Sequence, residues 1–176
     1  MKKIKSIHSQ VKSPTKRDVQ LLFKWLVDPH AKTGLLQKLI VKCRGKFVKA
    51  TAQKDVHAIL STVRLQKSNL IFMARKLKLT DKQSAVIAGV SERTYRGWEG
   101  GHPLSSKASA HLLQIVEVYR WGMQLYDNNE RSLITWMNLE IPALGHKVPV
   151  DIMISSWEGA NTVNNLLCCM EFGILV

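Results

Sequence analysis

Side chains capable of catalysis are thinly spread along this chain. The six histidines, His8, His30, His57, His102, His111 and His146, form no HExxH pair, and no Walker loop, GxGxxG or GxSxG occurs. Glu92, Glu99 and His102 fall close together, but charged residues beside a basic helix need no catalytic explanation. Cys43, Cys168 and Cys169 are odd in number and two are adjacent, which suits neither zinc ligation nor an easy disulfide. They read as reduced thiols, Cys168 and Cys169 on a partly buried helix. The expectation is a protein that is not an enzyme and uses no metal and no cofactor.

Recognition chemistry is more concentrated. Residues 89–101 read "GVSERTYRGWEGG". Ser91 can cap a short helix whose exposed face carries Ser91, Glu92, Arg93 and Arg96. Arginine is the best reader of guanine edges, and Arg and Ser also hold phosphates. Thr94 and Tyr95 fall near the buried side, with Trp98 packing below. Lys82 and Gln83, on the helix before, complete the candidate DNA-binding set of Lys82, Gln83, Ser91, Arg93, Thr94 and Arg96. A packed helix pair that reads nothing accounts for the same residues, so the motif needs support from elsewhere.

Charge supplies some. The chain of 176 residues has a formal net charge of +13. Residues 1–78 hold 19 Lys and Arg against three Asp, whereas residues 79–176 hold seven against ten acids. A basic half points to phosphate, and a solvated lysine-rich face fits it equally well. The apolar runs "LLFKWLV" and "LLQKLIV" are both broken by lysine, so no membrane span is expected. The N-terminus lacks the apolar core of a secretory signal. A cytoplasmic protein is the default.

The elements that must position these residues are mainly helical. Ser13-Pro14 opens a helix, with Val19, Leu22, Trp25 and Leu26 on one face, and Asp28-Pro29-His30 ends it. Residues 34–49 are ambiguous, and a short β element there stays open. Helical spacing returns over 54–65. Ser68 can cap the next helix, with Leu70, Ile71, Met73, Ala74 and Leu77 inward. Thr80 and Gln83 form a capping box for a helix over 81–88 that stops at Gly89. Ala85 is small where the two short helices cross. A helix over Ser91–Glu99 follows, and then a long one from Ser105 or Ser106 to about Asp127. Glu130–Asn138 and Gly159–Met170 complete the set, the last with Val163, Leu166, Leu167 and Met170 inward. Between them, "IPALGHKVP" is a loop stiffened by Pro142 and Pro149, turned at Gly145, plugged by Leu144 and Val148, and followed by a cap at Asp151. A rigid loop on a helical surface makes a good recognition element.

Residues 79–101, "LTDKQSAVIAGVSERTYRGWEGG", resemble the Xre-type helix–turn–helix, whose second helix enters the DNA major groove. Ser84 and Ala88 stand where that family carries larger aliphatic residues, so looser packing is expected. The segment "GHPLSSKASAHLLQIVEVYRWGMQLYDN" with "WMNLEIPALGHKVPVDIM" resembles the Xre/MbcA/ParS antitoxin family, marked by a "PALGG+xPLDLL" loop. Trp136 and Gly159 match as well. His146 replaces the second glycine, Ile141 a usual Asn, and Glu171 and Gly173 keep part of an "IEYG"-like ending. The resemblance covers about residues 54–172.

It implies an all-α chain with a basic extension over 1–53, an Xre-like DNA-binding domain over 54–127 and a small toxin-binding domain over 128–176. It further implies a homodimeric antitoxin that neutralises a RES-domain toxin, an enzyme that consumes NAD, and represses its own operon by binding operator DNA. The toxin-binding candidates are Leu144, Gly145, His146, Lys147, Glu171 and Phe172. A stand-alone helix–turn–helix regulator without a toxin is the alternative.

Overall fold

The computed structural model describes residues 15–27 and 64–172. The basic tail before Thr15, the 34–50 segment, the expected helix up to residue 63 and the end of the chain from Gly173 lie outside the described residues. Within them, eight α-helices and one 3-10 turn account for most of the chain. Among the described residues, strand pairing is limited to isolated bridges, Gln66 with Pro103 and Ile141 with Lys147. The fold is all-α.

The chain divides into two compact units, residues 1–62 and 63–176. In the first, α1 spans Lys16–Val27. Its start differs from the Ser13-Pro14 expectation. Asp18 Oδ2 accepts from the Thr15 amide at 3.0 Å, and Thr15 Oγ1 accepts from the Asp18 amide at 3.3 Å. Thr15 has a carboxylate three residues on to reciprocate, whereas Ser13 has Lys16 there, so the box forms at Thr15. Val19, Leu22 and Leu26 are buried as expected, together with Phe23 and Val27.

The second unit contains α2 (Lys67–Leu77), α3 (Asp81–Ala88), α4 (Glu92–Gly97), α5 (Ser106–Leu125), α6 (Glu130–Met137), α7 (Pro149–Ser155) and α8 (Trp157–Glu171), with the 3-10 turn at Pro142–Leu144. Ser68 does not cap α2. The helix begins at Lys67, and Asn69 Oδ1 takes the Gln66 amide at 2.9 Å. Asn69 lies three residues beyond Gln66, the spacing from which a side chain reaches back to an orphan amide. Thr80 and Gln83 form the expected box at α3, and Gly89 closes that helix at φ +71°. α4 stops at Gly97, short of the expected Glu99, because Trp98 turns extended. Ser105 caps α5 through the Ala108 amide at 3.1 Å, and Asn129 caps α6 through the Ser132 amide at 3.1 Å.

α5 is the axis of this unit. Its Leu112, Ile115, Val116, Val118 and Tyr119 are fully buried, with Leu133 from α6, Met153 from α7 and Val163 and Leu167 from α8. Each such side chain contributes about 1.5–3 kcal/mol of burial. Helices from before and after Asp127 therefore share one core. Met170, expected inward, is instead among the exposed large apolar side chains.

Polar bonds tie the same helices. His111 Nε2 lies 2.9 Å from the Met153 carbonyl, and Gln114 Nε2 donates to Asn161 Oδ1 at 2.7 Å. Tyr119 donates to Glu130 Oε1 at 2.7 Å, and the same oxygen lies 3.1 Å from Lys76 Nζ. This joins α2, α5 and α6 at one carboxylate. Burial works to raise the Glu130 pKa, but the Tyr119 hydrogen bond and the Lys76 and Lys78 charges outweigh it and hold the group below its ordinary value. Gly159 lets α7 and α8 meet closely: a Cβ there would collide with the Ile152 carbonyl.

Candidate nucleic-acid and partner-binding surfaces

The first surface is built by α3, the turn at Gly89 and α4. Ser91 Oγ accepts from the Thr94 amide at 3.1 Å and lies 2.8 Å from Thr94 Oγ1. Ser91 and Thr94 thus hold one another at the start of α4. Thr94, expected near the buried side, is exposed, since the helix turns only Tyr95 inward. Arg93 is exposed and makes no hydrogen bond or ion pair among the described residues. Lys82 is likewise exposed.

Arg96 projects outward between two acids. Its Nε lies 3.2 Å from Asp81 Oδ2 and its Nη2 2.6 Å from Glu92 Oε1. Exposed pairs of this kind are worth about 0.2–1 kcal/mol, so both can be surrendered to a stronger anion. Gln83 is the least available of the set. Its Oε1 accepts from the Thr80 amide at 3.0 Å, and its Nε2 donates to Asp151 Oδ1 at 3.1 Å. Gln83 caps α3 on one side and holds α7 on the other.

Ser84 and Ala88 are the two positions where looser packing is expected. Both residues are buried. Burial pushes the Tyr95 phenol upward in pKa, and the neighbouring Ser84 hydroxyl offsets part of that rise. Trp98 packs against Tyr95 edge-on at 6.1 Å and stacks on His102 at 4.1 Å. The loop they open is pinned to the start of α2 by the Lys67 amide on the His102 carbonyl and the Ser68 amide on the Gly100 carbonyl, each at 2.8 Å. A Cβ on Gly97 would meet open space, so no packing within the described residues requires glycine there.

The second surface is the Ile141–Lys147 loop with α7 and the start of α8. The Ile141 amide donates to the Lys147 carbonyl at 3.1 Å, closing the loop at its base. Gly145 at φ +66° and His146 at φ +60° are both left-handed. Non-glycine residues rarely adopt this conformation, although histidine does so more often than most. The loop stands over a groove of about 730 Å³, lined by Leu144, His146 and Lys147 from the loop, Asp151, Ile152 and Ser155 from α7, and Thr162 from α8.

The groove therefore gathers three of the six candidate toxin-binding residues. Gly145 supplies the turn above it. Glu171 and Phe172 end α8 and do not line it; Phe172 is 74% exposed. Asp151 does not cap the following helix. Pro149 sets the start of α7, which places Asp151 inside the first turn, facing Gln83. Sequence reasoning missed Ser155 and Thr162, which reach the groove because α7 and α8 fold back on one another. Among the described residues no three His, Cys, Asp or Glu converge as a metal group, and no helix is long and apolar enough to cross a membrane. Cys168 and Cys169 are free and half-buried on α8. In comparison with known proteins, the sequence matches no family model and no curated protein.

Proposed function

We propose that this chain is the antitoxin of a type II toxin–antitoxin pair. The 141–155 groove captures a RES-domain toxin that consumes NAD, and α3 and α4 bind operator DNA as a homodimer in the cytoplasm. The observation that carries the proposal is the groove under the "PALGHKVPVD" loop. It is open, rigidly framed and built on the residues that resemble the antitoxin family's signature. The exposed Arg93, Lys82 and Arg96 support the DNA half, since such side chains supply phosphate and base contacts. Two-fold operators match dimeric repressors.

Co-expression with a RES-type toxin, sought in the adjacent reading frame, tests the proposal. Growth should recover, and the two proteins should elute together from a sizing column. Leu144→Asp should abolish the joint peak and leave operator binding intact. Arg93→Ala should weaken operator discrimination by about 1–3 kcal/mol and leave the peak intact. Persistent growth arrest with no joint peak would sink the toxin half. If operator binding survives that failure, the stand-alone regulator is the correct reading.

A further inference from the structure

We propose that the pocket enclosed by α2, α3 and α4 is a binding site for a phosphate ester. Its volume is about 350 Å³. α2 contributes Lys67, Ile71 and Arg75, α3 contributes Asp81 and Ser84, and α4 contributes Tyr95 and Arg96. Three cations, Lys67, Arg75 and Arg96, line the pocket with one carboxylate, Asp81, while Glu92 pairs with Arg96 from outside the lining, so positive charge is in excess.

Lys67 is the decisive residue. It is only 8% exposed. A buried ammonium ordinarily has an acid partner, because desolvating an uncompensated charge is costly. Lys67 has none among the described residues. Its Nζ donates to the Trp98 carbonyl at 2.9 Å and lies 4.5 Å from the Tyr95 ring centroid. One carbonyl and one ring face leave donor capacity on a group with three N–H bonds. Arg75 is exposed at the rim and makes no ion pair among the described residues. Arg96 is held by Asp81 and Glu92 through exposed contacts that an entering anion can replace.

The geometry favours a phosphate ester over a carboxylate. Cationic donors come from two helices and the Ser84 hydroxyl from a third, which suits an anion offering three or more oxygens. Ile71 and the Tyr95 ring form an apolar wall for the carbon side of an ester. The ester can belong to a nucleic-acid backbone or to a small phosphorylated molecule. Only the first source rests on the DNA reading proposed above.

The test uses the full chain with two probes, inorganic phosphate followed by amide NMR shifts and a DNA duplex of arbitrary sequence followed by salt-dependent affinity. Two variants accompany it, Arg75→Gln and Asp81→Asn. For a backbone site, Arg75→Gln should lower the salt slope by about 0.9, which is about eightfold in affinity at 0.1 M salt. For a small-molecule site, inorganic phosphate should shift the amides of Ile71, Ser84 and Tyr95 in the wild type and not in Arg75→Gln. Asp81→Asn should tighten whichever probe binds, a gain that misfolding cannot mimic. Phosphate binding without duplex binding would keep the pocket and overturn the DNA half of the proposed function. Duplex binding unaffected by either variant, with no phosphate shifts, would overturn the pocket and leave the DNA reading standing. No response to either probe would overturn both.

Discussion

The α3–α4 surface and the loop–groove surface hold their side chains by different means. On the first, hydrogen bonds and ion pairs join close neighbours: Ser91 to Thr94, Thr80 to Gln83, Arg96 to Glu92. On the second, backbone geometry does the holding. Gly145 and His146 turn left-handed, Ile141 bonds Lys147, and α7 folds onto α8 at Gly159. The difference has a functional meaning. Side chains fixed by weak exposed pairs can be re-aimed toward a charged ligand at small cost. A frame fixed by backbone presents one shape and loses little entropy when a partner binds.

The largest expected effect falls on the frame. Gly159→Ala forces a Cβ against the Ile152 carbonyl, which cannot swing aside as a side chain would. We expect a loss of about 2 kcal/mol in urea unfolding, within the usual range for overpacking. Under the proposed function, toxin capture should suffer more than DNA affinity, because Ile152 lines the groove. Equal damage to both would erase the distinction between the surfaces.

A smaller effect concerns the carboxylate that joins α2 to α5 and α6. The folded-state pKa of Glu130 is depressed. Its contribution is therefore present above its unfolded value of about 4.3, and is lost as pH falls through the lower folded value. Glu130→Gln should cost under about 1 kcal/mol at neutral pH, given the half-exposed ion pair. It should also flatten the acid limb of a stability–pH curve recorded by circular dichroism. An unchanged acid limb would show that this junction does not respond to protonation.

The smallest effect is a gain. His146→Gly relieves a left-handed histidine but adds freedom to the unfolded chain. A net stabilisation of about 0.5 kcal/mol is expected, read as a small rise in unfolding midpoint. If toxin capture falls while stability rises, the imidazole is retained for recognition. If capture is unchanged, the loop backbone alone presents the surface.

The two surfaces were also unequally legible in the sequence. Thr80, Gln83, Gly89 and Ser91 announce the ends of α3 and α4 because capping acts over three or four residues. The same local rule favoured Thr15 over Ser13 at α1, where the reciprocating carboxylate was the overlooked signal. The groove was legible only in its loop. Ser155 and Thr162 enter it through the α7–α8 fold, and Asp151 meets Gln83 across 68 residues. No periodicity encodes such a meeting. The burial of Ser84 with Tyr95 was hidden for the same reason, since each residue alone looks like a departure from an apolar pattern.

The Gln83–Asp151 bond bears on how such a chain can change over generations. Gln83 Oε1 takes the Thr80 amide while its Nε2 gives to Asp151, so one amide serves both surfaces. Recombination at the Asp127–Asn128 turn could bring in a different tail, with specificity for a different partner. That tail would also have to refill the core around α5, which helices on both sides of Asp127 share, and offer an acceptor near Asp151 to keep this bond. The two surfaces are therefore expected to be inherited together.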